Sequence, residues 1–157
     1  MKRMYENNDI VVFWNSDKCF HSTKCIQASP KTFDVTRKPW IQLNNAPDPE
    51  VWQAVEGCPS GALGILYRHG IDVKFESEQC RSAAYDGDKL IGECDYQETD
   101  SGWWIYHTEV DPEYGGKGIA KRLVFSVLEA ADRKGVEVTA TCSYAVKILG
   151  SDPVKFL

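Results

Sequence analysis

No run of about 18 or more apolar residues occurs in the 157-residue chain, so no segment reads as a membrane-crossing helix. The first eight residues lack an apolar stretch behind their basic side chains, which is not the pattern of a secretory signal. Basic charge is not in excess either. Eighteen Lys and Arg face 23 Asp and Glu, a net charge of -5, which argues against a general nucleic-acid binder. The acidic excess falls almost entirely after residue 70 and favours a cationic partner there. Internal repeats and low-complexity tracts are absent. What is present, 43% hydrophobic and 26% charged residues, is the composition of an ordinary globular protein. These exclusions predict a cytoplasmic location. Six cysteines then stay reduced, and grouped ones read as metal ligands or catalytic thiols rather than disulfides.

The length fits one medium domain or two small ones. A domain below roughly 70–80 residues is short of core and often needs a staple such as a metal. In the first half, residues 9–15 form a β-rich run closed by turn formers. Residues 32–35 and 40–43 read as short strands around the Arg37-Lys38-Pro39 turn. Asp48 and Pro49 open a helix as cap and first helical residue, and residues 65–67 form a last strand. The order is β-α-β-β-α-β, the ferredoxin-like arrangement, with a boundary at Arg68-His69-Gly70. In the second half, residues 82–85 and 89–96 flank the hairpin turn Asp86-Gly87-Asp88, and residues 103–110 form a third strand. Residues 118–134 form an amphipathic helix with Ala120, Leu123, Val124, Val127, Leu128 and Ala131 on one face, stopped by Gly135. Residues 136–142 are a fourth strand.

Three cysteines of the first half carry chemistry. Cys19 and Cys25 have five residues between them, and Cys58 opens the run Cys58-Pro59-Ser60-Gly61-Ala62-Leu63. Bacterial ferredoxins ligate clusters through C-x2-C-x2-C-x3-C-P. On that template Cys19 and Cys25 take the first and third places and Ser22 the second. Ser29-Pro30 stands where the final Cys-Pro would be. That final cysteine serves the other cluster of a two-cluster protein, so its replacement implies a single cluster, with Cys58 as the remote ligand. The chain here resembles the single-cluster ferredoxins, most closely a small divergent mono-cluster family marked by C-x-H-S-x2-C, R-K-P-W-I and C-P-S-G-A-L. All three motifs are present, at residues 19–25, 37–41 and 58–63, and the resemblance spans residues 8–68. Soft thiolates suit iron–sulfur clusters. Three thiolates match a [3Fe-4S] cluster, whereas [4Fe-4S] needs a fourth donor. His21 is the better chemical candidate for it, and Ser22 holds the template position. Three cysteines and a histidine also make a zinc site, and free buried thiols are a third reading. Against zinc stand the Cys-Pro-Ser-Gly-Ala-Leu ending and the wide cysteine spacing. Arg37, Lys38 and Trp40 read as structural, with Trp40 packing over the cluster side.

The second half carries a glycine-rich strand-to-helix turn, from Val110 through Gly115, Gly116, Lys117, Gly118 and Ile119 to Ala120. Glycines let the backbone approach a ligand closely, and a helix start turns unpaired N–H groups toward phosphate. The stretch resembles the pyrophosphate-binding motif of the GNAT acyltransferases, (R/Q)-x-x-G-x-(G/A). Gly118 and Ala120 match its last places, and Gly115 departs from the Arg or Gln of the first. His107 to Val110 and Cys142-Ser143-Tyr144 resemble a compact GNAT-like subgroup without the usual acceptor-site helices. The resemblance spans residues 80–150 and implies acetyl-CoA binding. Amine attack on a thioester needs a base and an acid. His107 and Glu109 alternate along a strand and share a face, so either serves as base. Tyr144 is the candidate acid for the departing thiolate. Cys142 is a candidate acylated nucleophile, against the bland reading of a small core residue. Cys80 and Cys94 read as structural.

The resulting expectation is an α+β chain of two domains. Residues 1–70 are a ferredoxin-like βαββαβ domain with one iron–sulfur cluster, and residues 71–157 are a minimal GNAT domain with a mostly antiparallel sheet. The preferred function is acyl transfer from acetyl-CoA to an amine acceptor, with the cluster as redox centre served by a redox partner, as sensor or as staple. No nucleic-acid or membrane partner is expected. The rival is a non-enzymatic iron–sulfur and coenzyme A binder or a small electron carrier. Gly115 and the missing acceptor-site helices favour the rival. The shared face of His107 and Glu109, with Cys142 nearby, favours the enzyme.

Overall fold

The computed structural model describes residues 2–143 together with Ala145 and Val146. The chain divides into two compact units, and the second begins at His69.

In the first unit β2 (Ile10–Asn15) is the central strand of a three-stranded antiparallel sheet. It lies between β1 (Lys2–Glu6) and β3 (Leu63–Tyr67). Its β-branched and aromatic residues suit a pleated, packed surface. Ile10 and Val12 alternate onto one face and join Phe33, Ile41, Leu43, Val51, Ala54, Val55 and Leu63 in the core. Each Val, Leu, Ile or Phe side chain among them, fully buried, contributes roughly 1.5–3 kcal/mol. The helices are α1 (Lys24–Ala28) and α2 (Asp48–Glu56). Pro47 is the flanking residue of α2, so Asp48 lies inside the helix and does not cap it. Its Oδ1 accepts from Asn7 Nδ2 at 2.9 Å instead.

The expected β-α-β-β-α-β order does not form. The unit runs β-β-α-α-β. Residues 32–35 and 40–43 are not strands. They meet in one isolated bridge, Phe33 to Ile41. The loop between them is closed locally by Asp34, whose Oδ1 accepts from the Thr36 amide and hydroxyl, and Pro39 has no N–H to extend a ladder. The strand that replaces them, β1, reads Lys-Arg-Met-Tyr-Glu and lies at the sheet edge, where charged residues are common.

The second unit holds a five-stranded sheet in the order β4-β5-β6-β7-β8, antiparallel except for the parallel β7–β8 pair. The strands are β4 (Asp72–Glu76), β5 (Arg81–Asp86), β6 (Lys89–Thr99), β7 (Gly102–Val110) and β8 (Val138–Ala140). Helix α3 (Ile119–Lys134) buries Leu123, Val124, Val127, Leu128 and Ala131. Ser82 Oγ donates to the Leu123 carbonyl at 2.6 Å, tying β5 to the helix. Arg122, 1% exposed, also lies on the buried face and donates to the Ile71 carbonyl at 2.9 Å. A charged fork so deep in a core needs such partners. Among the described residues no helix is long and apolar enough to cross a membrane.

Candidate functional sites

In the first unit three separate stretches bring their cysteines to one cavity of about 570 Å³. Cys19 follows β2 in a turn where its N–H donates to the Ser16 carbonyl. Cys25 lies on α1, and Cys58 follows α2. His21 and Ser22 line the same cavity. Between the first two cysteines, His21 and Thr23 hold φ of 60° and 62°, a left-handed conformation uncommon outside glycine. Such strain persists where surrounding structure imposes it, as at ligand clamps.

The thiols differ in environment. Burial raises Cys25, and the Cys58 and Cys19 charges beside it raise it further, with the Ile26 amide opposing. Burial also pushes Cys58 up, but the Ser60 hydroxyl and the amides of Leu63, Ala62 and Ser60 outweigh it and hold the thiol below its ordinary value. Cys58 Sγ and Ser60 Oγ are 3.4 Å apart. Ser60 also accepts from the Ala62 amide, which fixes the turn after Pro59. Ser29, in the place of the missing template cysteine, is fully buried and donates to Thr32 Oγ1 at 2.8 Å, so its role is local. Trp14 and Trp40 also line the cavity, and their indole Nε1 atoms are buried away from it with no hydrogen-bond partner among the described residues. Three converging thiols and the hydrogen-bond donors around Cys58 fit a group rich in iron and sulfur.

In the second unit the glycine-rich turn follows the 3-10 turn Pro112–Tyr114, which Asp111 caps through the Glu113 amide at 3.0 Å. Tyr114 donates to Asp86 Oδ2 at 2.6 Å, anchoring the turn to the β5–β6 hairpin. That bond pushes the tyrosine up to about 12. Gly116 and Gly118 have φ of 76° and 73°, values open to glycine without cost. Gly118 caps α3 with no side-chain hydrogen bond, and the first turn, from Ile119 and Ala120 onward, has no acidic residue. The helix start therefore leaves its N–H groups to a ligand or to water. Lys117 is half-buried just before it. Beside the Val110 end of β7 lies a cleft of about 350 Å³ lined by Ile91, Glu93, Glu109 and Pro112 among others.

Strand β7 carries an irregularity that decides which side chains meet. Cys94 pairs with Thr108 and Asp95 with His107, but Tyr96 pairs with Ile105, so Tyr106 is an extra residue. Trp103, Ile105 and Thr108 are thus buried, while His107 and Glu109 stay exposed. His107 Nε2 is 3.3 Å from Glu109 Oε2. On that same face Glu93 and Asp95 of β6 approach His107. Burial first and the Glu93 charge second raise Asp95, with His107 and Arg81 opposing.

Cys142 has different company. Its Sγ lies 3.1 Å from Thr108 Oγ1 and accepts from the Ala145 amide at 3.3 Å. Thr108 Oγ1 also reaches the Sγ of Cys94 at 3.4 Å. Burial pushes Cys94 up to about 12, so that thiol keeps its proton. Thr108 alternates with His107 and Glu109 and faces the other side of β7. His107 and Glu109 are therefore together, and Cys142 is not with them. Tyr144 lies outside the described residues. Thr108, Glu93, Asp95 and Trp14 carry no local motif, and their places become evident only with the pairing of the strands.

Residues 5–68 match the family described as a divergent 4Fe-4S mono-cluster. Residues 81–156 match the family described as GCN5-related N-acetyl-transferase. An uncharacterised Escherichia coli protein, YjdI, is 39% identical over 67 residues, which cover 43% of this chain and 86% of YjdI. Among solved structures, a GCN5-like protein of Staphylococcus aureus, determined by NMR, is 27% identical, covering 54% of this chain and 82% of its own, with a TM-score of 0.43. A ribosomal-protein-alanine N-acetyltransferase of Brucella melitensis is 16% identical, covering 85% of this chain and 79% of its own, with a TM-score of 0.37.

Proposed function

Because the chain belongs to the divergent 4Fe-4S mono-cluster family through residues 5–68 and joins to it a GCN5-related N-acetyl-transferase domain over residues 81–156, we propose that it is an acetyl-CoA-dependent N-acyltransferase bearing one iron–sulfur cluster. The observation that carries the first half is the meeting of Cys19, Cys25 and Cys58 at one cavity. For the second half it is the uncapped start of α3 behind Gly116 and Gly118.

Cys19, Cys25 and Cys58 hold the cluster, which supplies one-electron chemistry or a structural staple when bound. The fourth position, if a protein atom fills it, belongs to His21 or Ser22. Three cysteine ligands alone is the preferred state, so His21→Ala is expected to leave the cluster spectrum and potential nearly unchanged. A changed electron paramagnetic resonance spectrum or potential in that variant makes His21 a ligand. Reduced thiols of this kind fit a cytoplasmic setting.

In the second unit the amides of Gly116 to Ala120 and the Lys117 ammonium bind the pyrophosphate of acetyl-CoA, beyond the end of β7 at Val110. The amine nitrogen attacks the thioester carbonyl carbon, forming C–N and breaking C–S. Glu109, paired with His107, takes the amine proton directly or through water, and Tyr144 protonates the departing thiolate. Glu93 and Asp95 beside His107 make the open sheet face suited to a cationic acceptor. In the two-step variant the Cys142 sulfur attacks the thioester carbonyl and displaces coenzyme A as its C–S bond breaks, and the amine then takes the acyl group from Cys142, forming C–N and breaking the new C–S bond. Cys142→Ala separates these routes. If Cys142 is the nucleophile, acetyl-CoA binding persists while transfer and any covalent acyl mass on the protein disappear. Transfer that survives makes Cys142 a packing residue.

A second reading has one observation in its favour. Gly115, where the coenzyme-binding motif has Arg or Gln, offers no side chain to the phosphates, which suits a coenzyme A binder without turnover. Anaerobic purification with iron and sulfide analysis, followed by coenzyme A release assays over a panel of amines, tests the whole reading. Stoichiometric zinc without sulfide refutes the cluster. Acetyl-CoA binding without coenzyme A release favours the second reading.

A further inference from the structure

The turn that carries Cys58 is built around a serine. Cys58, Pro59, Ser60 and Gly61 form it, and the Gly61 N–H returns to the Cys58 carbonyl at 3.4 Å. Pro59 fixes its own φ. Beyond the turn Ala62 is buried, and its carbonyl accepts from the Asn15 N–H at 2.8 Å. Ser60 is thus held from both sides, and it lines the thiol cavity together with Cys58. Its Oγ accepts from the Ala62 amide at 3.2 Å and lies 3.4 Å from Cys58 Sγ. A serine hydroxyl has one O–H and two lone pairs. While Cys58 is a free thiol, either atom of that pair can donate. Iron removes the choice. Metal binding takes the thiol proton, so a ligated Cys58 sulfur only accepts. Ser60, whose oxygen already accepts from Ala62, then has its single O–H for that sulfur. Cys25 differs, since its hydrogen bonds come from backbone amides alone.

We propose that the Ser60 hydroxyl donates a hydrogen bond to the Cys58 sulfur of the bound cluster and so raises the cluster's reduction potential. The inference rests on the cluster reading above, with Cys58 as a ligand. One-electron reduction adds negative charge to the cluster and its thiolates. A donor aimed at a ligand sulfur therefore stabilises the reduced form more than the oxidised one. The Ala62 amide and the turn fix the Ser60 oxygen before the electron arrives, so the donor needs little reorganisation when the charge changes. The amides of Leu63, Ala62 and Ser60 face the same sulfur, and the hydroxyl is the part of that set that a substitution can remove. Ser60 is thus a positioning and tuning residue, not a ligand.

The test uses the full chain, purified anaerobically, with Ser60→Ala and Ser60→Thr. Alanine removes the hydroxyl, while the turn keeps Pro59, the Gly61 bond and the bond from Asn15 to Ala62. Threonine restores the hydroxyl. Iron and sulfide are quantified first, and the midpoint potential is then measured by dye-mediated titration. The expected result is a normal cluster load in both variants. Ser60→Ala should be about tenfold less favourable in the reduction equilibrium, or about 59 mV more negative for one electron, and Ser60→Thr should stay close to the wild type. A serine that only shapes the turn would change the load and leave the potential of the loaded protein unmoved. A fully loaded Ser60→Ala protein at the wild-type potential therefore overturns the proposal while leaving the cluster reading intact. A second measurement serves if Ser60→Ala loads poorly. Wild-type protein moved briefly into D2O should lose hyperfine coupling from a fast-exchanging hydroxyl proton in the paramagnetic state of the cluster, which hydrogen-bonded amide protons retain. No such loss overturns the proposal equally. Wild-type protein without iron and sulfide overturns the cluster reading and this proposal together.

Discussion

Cys58→Ala is expected to empty the iron site and to unfold the first unit. The unit ends at Arg68, and a core of that size rarely supplies more than about 3–5 kcal/mol. The nine core residues from Ile10 to Leu63 lie between a three-stranded sheet and two short helices, which is little for independent stability. Cys25 and Cys58 both pack against this core, so a bound cluster ties α1 to the turn after α2. Metal binding and folding are coupled in such domains. Removing one of three thiolate ligands takes away more than its own bond, because the other two no longer complete a site. The Ser60 hydroxyl and the amides of Ser60, Ala62 and Leu63 also lose the sulfur they surround. The measurement is iron and sulfide content beside a thermal melt followed by circular dichroism. Loss of both metal and the first-unit transition is expected, with acetyl-CoA binding retained by the second unit. A variant that stays fully loaded and melts as the wild type does overturns Cys58 as a ligand.

What the sequence reveals and what it hides follow from the range of the interactions. The cysteine motifs are local, and each stretch carries its chemistry in its spacing, so the three thiols that meet at one cavity are legible one residue at a time. The amphipathic face of α3 is legible for the same reason, since period 3.6 selects Leu123, Val124, Val127 and Leu128. Arg122 is not, because a charged residue on a buried face makes sense only once Ile71 offers its carbonyl. Strand β1 is hidden because Lys-Arg-Met-Tyr-Glu has no apolar alternation of its own, and its identity lies in its pairing with β2. Conversely, residues 32–35 and 40–43 have strand-like composition, but Asp34 closes the chain on Thr36 before a ladder can grow. Strand parity alone places Trp103, Ile105, His107 and Glu109 on one face. The extra residue at Tyr106 turns the last two away from the first two. A bulge of this kind has no sequence signal here, yet it sets which side chains share a face with His107 and which meet Cys142.

Gly118→Asp is expected to abolish acetyl-CoA binding while the fold persists. At φ 73° Gly118 sits in the left-handed region, which Asp enters more readily than most residues. A single surface position there costs on the order of 1 kcal/mol. The α3 helix retains its buried face of Leu123, Val124, Val127 and Leu128, which far exceeds that cost. The loss therefore falls on the ligand. A carboxylate about 4 Å from a phosphate charge at an effective dielectric near 20 is repelled by roughly 4 kcal/mol, several hundredfold in Kd at about 1.4 kcal/mol per decade. It also competes for the helix-start amides that the pyrophosphate needs. Gly118→Asn has nearly the same shape without the charge, so its smaller loss measures the steric and conformational part alone. Calorimetric titration of acetyl-CoA into wild type and both variants gives the three affinities, and iron content of each reports on the first unit. Equal binding by wild type and Gly118→Asp removes the glycine turn from the coenzyme site. No binding by the wild type overturns the acetyl-CoA reading itself, whatever the fold of the second unit.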